Sequence, residues 1–115
     1  MVQNIYNLAG YNFHPNSEFF QNILCNQTIK IERIISEGHA SPPDFWYDQD
    51  EYEWVILLKG MAQIRFKSAP EAITLSEGDY LLINPHERHR IEWTDPNQKT
   101  IWLAIHFKIA EPIAQ

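Results

Sequence analysis

The sequence predicts an all-β domain, a sandwich or a barrel, and three observations carry that prediction. Turn signals recur at short intervals, among them His14-Pro15-Asn16, Pro42-Pro43-Asp44, Lys59-Gly60, Ser76-Glu77-Gly78-Asp79, Asn84-Pro85 and Asp95-Pro96-Asn97. The runs between them are short and rich in Ile, Val, Thr and aromatic residues, the spacing expected of strands in a sandwich or barrel. Several of these runs alternate apolar and polar side chains with period two, and no segment shows a clear helical period.

Each element can be justified in order. Ser17 could cap one helical turn, with Glu18 at the positive end of its dipole, but Phe19 and Phe20 suit a strand equally well. Cys25, the sole cysteine, excludes an internal disulfide and is expected to pack as a small hydrophobe. From Thr28 to Ser36 the alternation through Ile29 and Ile31 breaks at Ile34-Ile35, which suggests a bulge. Val55 to Leu58 is continuously apolar, as in a strand buried on both faces. Ala62, Ile64 and Phe66 share one face of the next strand. His89, Ile91 and Trp93 share one face of a later strand, opposite Arg90, Glu92 and Thr94.

Composition limits what such a domain does. A length of 115 residues fits one domain spanning 1–115. Aromatic residues make up 13 % of the chain, a surplus that suits a barrel interior or a subunit interface. The net charge of −6 disfavours nucleic acid as a partner, because phosphate recognition needs basic surface. No apolar run approaches the roughly 18 residues of a membrane span, and the N-terminus lacks the basic start and apolar core of a signal peptide. The expectation is a cytoplasmic protein without a membrane partner. A nucleophile elbow, a phosphate-binding loop, a dinucleotide glycine pattern and a CxxC pair are all missing.

Two segments carry the chemistry. The first, Glu53-Trp54-Val55-Ile56-Leu57-Leu58-Lys59-Gly60, couples a carboxylate to an apolar strand and a glycine turn. The second runs from Gly78-Asp79 through Asn84-Pro85-His86 to His89. Together they resemble the two halves of a cupin barrel. The first cupin motif is a glycine, five residues, His-x-His, three or four residues, Glu, six residues and Gly, and Glu53 and Gly60 match its second half. Gly78 and His89 match the separation in the second motif. The departures are specific. The two motif histidines fall on Tyr47 and Gln49, or on Trp46 and Asp48 in the alternative register. Pro85 lies one place beyond the motif proline, which Asn84 replaces, His86 stands at the motif glycine, and Trp93 replaces the closing asparagine. The resemblance covers residues 34 to 107. It implies a jelly-roll β-barrel of two antiparallel sheets, outer strands within 1–33, a conserved barrel at 34–107, a short tail at 108–115, and a homodimer formed through the outer strands.

Strand parity selects the candidate site. Residues two apart on an extended strand face the same side, so Val55 and Leu57 pointing inward bring Glu53 and Gln49 with them. A carboxylate in an apolar barrel must be paired, metal-bound or protonated, and His89 is the partner the motif supplies. Three arrangements remain open. Glu53, His89 and Asp48 could hold a divalent metal such as zinc, iron or manganese. Glu53 and His89 could instead be a metal-free acid–base pair, or a structural pair inside a ligand-binding barrel. Tyr47, Gln49, Trp93 and His106 are the candidate ligand-binding residues, with either Asp48 or Gln49 facing inward depending on a single bulge. The reading is a small-molecule-binding cupin, with a metal-assisted enzyme acting on a polar metabolite as one form it could take. The alternative is a catalytically silent, metal-free binding or sensor barrel.

Overall fold

Eight strands account for all the regular structure among the described residues, which in this computed structural model are 1–109, 111 and 113–115. The tail expected at 108–115 therefore lies partly outside the described residues. The strands are β1 (Phe19–Cys25), β2 (Ile29–Ser36), β3 (Tyr52–Lys59), β4 (Ala62–Phe66), β5 (Ile73–Leu75), β6 (Tyr80–Ile83), β7 (His89–Thr94) and β8 (Thr100–Phe107). They form a five-stranded sheet in the order β1-β2-β8-β3-β6 and a three-stranded sheet in the order β5-β4-β7. Every pairing is antiparallel. This is the cupin jelly roll the motifs implied, and Phe19 and Phe20 belong to a strand rather than a helical turn.

The period-two patterns explain why the sheets face each other. Val55 and Leu57 on β3, Trp102 and Ala104 on β8 and Ala62 and Ile64 on β4 all point into one core cluster. Full burial of an Ile or Leu side chain contributes about 1.5–3 kcal/mol, so these alternating positions dominate the driving force. Val55 to Leu58 is not buried on both faces, however. Val55 and Leu57 are buried while Ile56 and Leu58 are only half-buried, because the outer face of β3 has no second layer over it. Ile35 and Ile101 are buried on the outer face of the larger sheet. Arg33, in phase with Ile35, donates to the carbonyls of Ile5 and Asn7 and ties the N-terminal segment across that face.

Three local features differ from the sequence reading. The bulge expected at Ile34-Ile35 lies instead on β1, between Asn22 and Leu24, while β2 runs in unbroken register against β8. The adjacent isoleucines reflect a strand with both faces covered, not an inserted residue. A second bulge leaves Glu92 unmatched on β7, so that Ile64 pairs with Ile91 but Gln63 pairs with Trp93. This puts Thr94 on the inner face, 1 % exposed, and turns Trp93 away from it. Cys25 is exposed rather than packed, because β1 is an edge strand with one unpartnered side.

Gly60 is required where β3 turns into β4. Its φ is +96°, and a Cβ there would stand 2.7 Å from Thr100 Cα. His86, at the glycine position of the second cupin motif, has φ 61°. The left-handed turn is thus retained with a side chain on it, at a cost of about 1–2 kcal/mol.

Candidate functional site

The interior between the two sheets keeps a cavity of ≈ 70 Å³ open. Each water needs about 10–15 Å³ of such space, so the cavity has room for a few waters or a small organic molecule.

β3 and β8 bring the first two groups together. Glu53 and His106 are register partners on adjacent strands, and both are buried, at 8 % and 7 % exposure. His106 Nε2 lies 3.0 Å from Glu32 Oε1 and 3.9 Å from Glu53 Oε2. Burial lowers the affinity of the His106 ring for its proton. The Glu32 hydrogen bond and the charges of Glu53 and Glu32 outweigh this, so its pKa is raised above 6.5. The two carboxylates therefore favour the protonated form of His106, and its Nε2–H donates to Glu32.

The opposite sheet supplies His89. Its Nδ1 lies 2.8 Å from the Glu87 carbonyl oxygen. A carbonyl can only accept, so Nδ1 carries the proton and, in the neutral ring, Nε2 is a bare lone pair. That lone pair faces Glu53 Oε1 at 3.7 Å, beyond hydrogen-bond reach. Gln49 Nε2 donates to the same Glu53 oxygen at 2.9 Å. Burial pushes the Glu53 carboxyl up, but the neighbouring His89 ring, the His106 charge and the Gln49 amide together leave it below 4.5.

Main-chain bonds position the Tyr47–Gln49 segment. Tyr47 exchanges backbone hydrogen bonds with His89, and His86 N–H donates to the Gln49 carbonyl. The Tyr47 ring consequently stacks on His89, with centroids 5.4 Å apart. Burial, with the charges of Glu18, Glu53 and Glu32, pushes the Tyr47 phenol up to about 12, so it remains a proton donor.

The choice between Asp48 and Gln49 is resolved by these contacts. Gln49 lines the cavity. Asp48 points outward and pairs with His86 Nδ1 at 2.8 Å and with Arg88 Nε at 3.4 Å. Asp48 is thus removed from the proposed metal set, because parity puts its side chain on the side opposite Gln49. Trp93 is absent from the cavity wall, because the β7 bulge turns it out. Tyr47, Gln49, Glu53, His89 and His106 all line it.

Two carboxylates on the wall were missed. Glu32 is in phase with Ile34 on β2, and both face the cavity; that parity was the available signal, hidden by the double isoleucine. Glu18 precedes β1 and is two residues from Phe20, which also lines the cavity. One Glu18 oxygen accepts from Ser36 Oγ, which in turn accepts from Trp102 Nε1 at 3.1 Å. Burial pushes the Glu18 carboxyl above 4.5, against the Ser36 hydrogen bond and the His39 charge. Nothing singles out Glu18 without the fold.

The donor set does not fit a divalent metal. Among the described residues no group of three or more His, Cys, Asp or Glu side chains converges as metal ligands. Glu53 and His89 face each other, but Asp48 is outside and His106 Nε2 is engaged by Glu32.

A two-sheet jelly roll with a carboxylate–imidazole interior defines the chain as a small cupin of bacterial type. Residues 36–115 match the AraC-like ligand binding domain, and the chain belongs to that family. A Ralstonia eutropha JMP134 protein, provisionally named a mannose-6-phosphate isomerase, is similar at 39 % identity over 95 % of this chain and 99 % of its own, with a TM-score of 0.86. A cupin superfamily protein from Desulfitobacterium hafniense DCB-2 shares the fold at 17 % identity and a TM-score of 0.69, over 88 % of this chain and 86 % of its own. A cupin-2 domain-containing protein from Shewanella frigidimarina NCIMB 400 does so at 20 % identity and a TM-score of 0.67, over 88 % of each chain. No curated protein matches the chain.

Proposed function

We propose that this protein is a metal-independent small-molecule-binding cupin whose ligand sits between Glu53, His89 and Gln49 in the barrel interior. The observation that carries this reading is the gap between His89 Nε2 and Glu53 Oε1. Two acceptors, 4 % and 8 % exposed as residues, face each other at 3.7 Å with no donor between them. The Glu53 oxygen already accepts from Gln49, so His89 Nε2 is the atom of this pair that lacks a partner, and a ligand hydroxyl or N–H entering the cavity would supply one while also reaching Glu53. The Tyr47 hydroxyl and the Gln49 amide, on the same wall, would fix its orientation.

A second reading is an acid–base enzyme, favoured by the same pair. Glu53 is held ionised beside an imidazole, which suits proton abstraction and return, and the 39 % identical relative carries an isomerase name. A sugar phosphate suits this wall poorly, since among the described residues it presents Glu18, Glu32 and Glu53 and no Lys or Arg. Phosphate recognition relies on cationic donors. Location in the cytoplasm and assembly as a homodimer through β1 belong to the same proposal.

The test is NMR of the ¹⁵N-labelled imidazoles, with polar metabolites and mannose 6-phosphate added in turn. Binding should shift the His89 ring nitrogens first, and Glu53→Gln should weaken it. A panel that leaves both His89 and His106 unmoved sinks the proposal. Turnover of mannose 6-phosphate, lost in His89→Gln, would establish the enzyme reading instead. Elemental analysis of untagged protein should find far less than one metal per chain. Near-stoichiometric metal, lost in both Glu53→Gln and His89→Ala, would overturn metal independence.

A further inference from the structure

The wall of the cavity is lopsided in two respects, and both constrain what enters. The first is charge. Glu18, Glu32 and Glu53 line it, and among the described residues no Lys or Arg does. Lys30, whose Nζ is 3.8 Å from Glu32 Oε2, is 38 % exposed and stays at the barrel end. His106 offsets Glu32 through their 3.0 Å contact. The same His106 ring lies 3.9 Å from Glu53 Oε2, so the carboxylates of Glu18, Glu32 and Glu53 outnumber it on the wall.

The second asymmetry is in hydrogen bonding. Among the described residues Glu53 Oε2 accepts no hydrogen bond, and His106 Nε2 lies 3.9 Å from it. His89 Nε2 is a lone pair in the neutral ring, because Nδ1 donates to Glu87. One Glu18 oxygen is engaged by Ser36, while the other accepts from none of the described residues. Most wall donors are already engaged, the Gln49 amide on Glu53, His106 on Glu32 and the Trp102 indole on Ser36, which leaves the Tyr47 hydroxyl against several acceptors. The occupant must therefore bring donors, and positive charge makes each of those bonds stronger. The Tyr47 and Trp102 rings on the same wall add favourable faces for a cation.

We propose that the cavity selects a small organic cation, an ammonium compound with N–H or O–H donors, over neutral and anionic molecules of the same size. This rests on the ligand-binding reading above and names its ligand class. The ammonium group would lie between Glu53 Oε2, the free oxygen of Glu18 and His89 Nε2. The ≈ 70 Å³ of open space restricts it to a compact molecule. Burial raises the pKa of the Glu18 carboxyl, and a bound cation would favour its ionised form.

Three probes that differ mainly in charge provide the test: 3-aminopropan-1-ol, propane-1,3-diol and 3-hydroxypropionate. Dissociation constants from calorimetry should place the amine at least about tenfold below the diol, the scale of one charge-assisted hydrogen bond, with the carboxylate weakest. Glu53→Gln and Glu18→Gln should each remove most of that preference by weakening the amine several-fold more than they weaken the diol. If one variant fails to fold, the other carries the comparison. A diol or carboxylate that binds as well as the amine overturns the proposal, as does a preference that survives both substitutions. Val55→Phe, which fills the cavity, separates this failure from failure of the site. Diol binding that is tightest yet lost in Val55→Phe overturns the cation and keeps the cavity. Binding unchanged in Val55→Phe, or by none of the three probes, overturns both.

Discussion

Glu32 and His106 show how a single pair can set the behaviour of the interior. Both are less than a tenth exposed and 3.0 Å apart, so removing Glu32 strips the buried His106 of its hydrogen-bonded partner and leaves only the longer contact to Glu53. Glu32→Gln should cost about 3 kcal/mol of stability in urea denaturation. The pH dependence has a definite sign. The pKa of His106 is raised above its unfolded value of 6.5, so its contribution is fully present below pH 6.5 and lost as pH rises through the folded value. Glu53 is depressed below 4.5, so its contribution is present above pH 4.5 and lost as pH falls further. The penalty for Glu32→Gln should therefore be greatest near pH 6 and shrink in alkaline buffer. A penalty constant from pH 6 to 10 would mean that His106 is not the partner that matters.

The elements were legible wherever period two was unbroken. Ala62 and Ile64 on β4 and Glu53, Val55 and Leu57 on β3 could be assigned to the inner face from alternation alone, and the structure places them there. The failures cluster at irregularities. Trp93 was assigned by continuing the His89–Ile91 phase, and the unmatched Glu92 reverses it. Glu32 was overlooked because the face of β2 was read from Ile29 and Ile31, whereas the inward set contains Glu32 and Ile34. Asp48 was undecidable because one register error exchanges it with Gln49. A bulge is made by hydrogen bonds to a neighbouring strand, which a single strand's sequence does not display. The two glycines that match the cupin motifs permit a sharp comparison at this scale. Gly60→Ala should cost about 3 kcal/mol, because it adds a steric clash with Thr100 to the positive-φ penalty. Gly78→Ala, with φ +88° but nothing within 4 Å, should cost only about 1 kcal/mol. Equal losses in thermal or chemical unfolding would refute that account of Gly60.

At the scale of the whole molecule, the larger sheet ends in β1, an edge that exposes Phe20, Ile23 and Leu24 to between 49 % and 57 %. An uncovered apolar edge invites pairing, and the homodimer proposed above would bury it. Sedimentation should give a dimer that Leu24→Lys converts to monomer; a monomeric parent at high concentration would exclude this arrangement. A different consequence follows from the main-chain ladder that ties Tyr47 to His89 and Gln49 to His86. Those bonds use backbone atoms alone, so the fold presents positions 47 and 49 to the interior whatever side chains they bear. The barrel is in that sense an interchangeable socket, in which reactivity can be rewritten at two positions while the supporting architecture stays fixed. Tyr47→His combined with Gln49→His would place the motif's two absent imidazoles beside Glu53 and His89. Such a double variant should acquire close to one zinc per chain by elemental analysis while keeping the parent's β-sheet circular dichroism. Descendants and ancestors of such a chain could then exchange metal chemistry for plain recognition through a handful of codon changes.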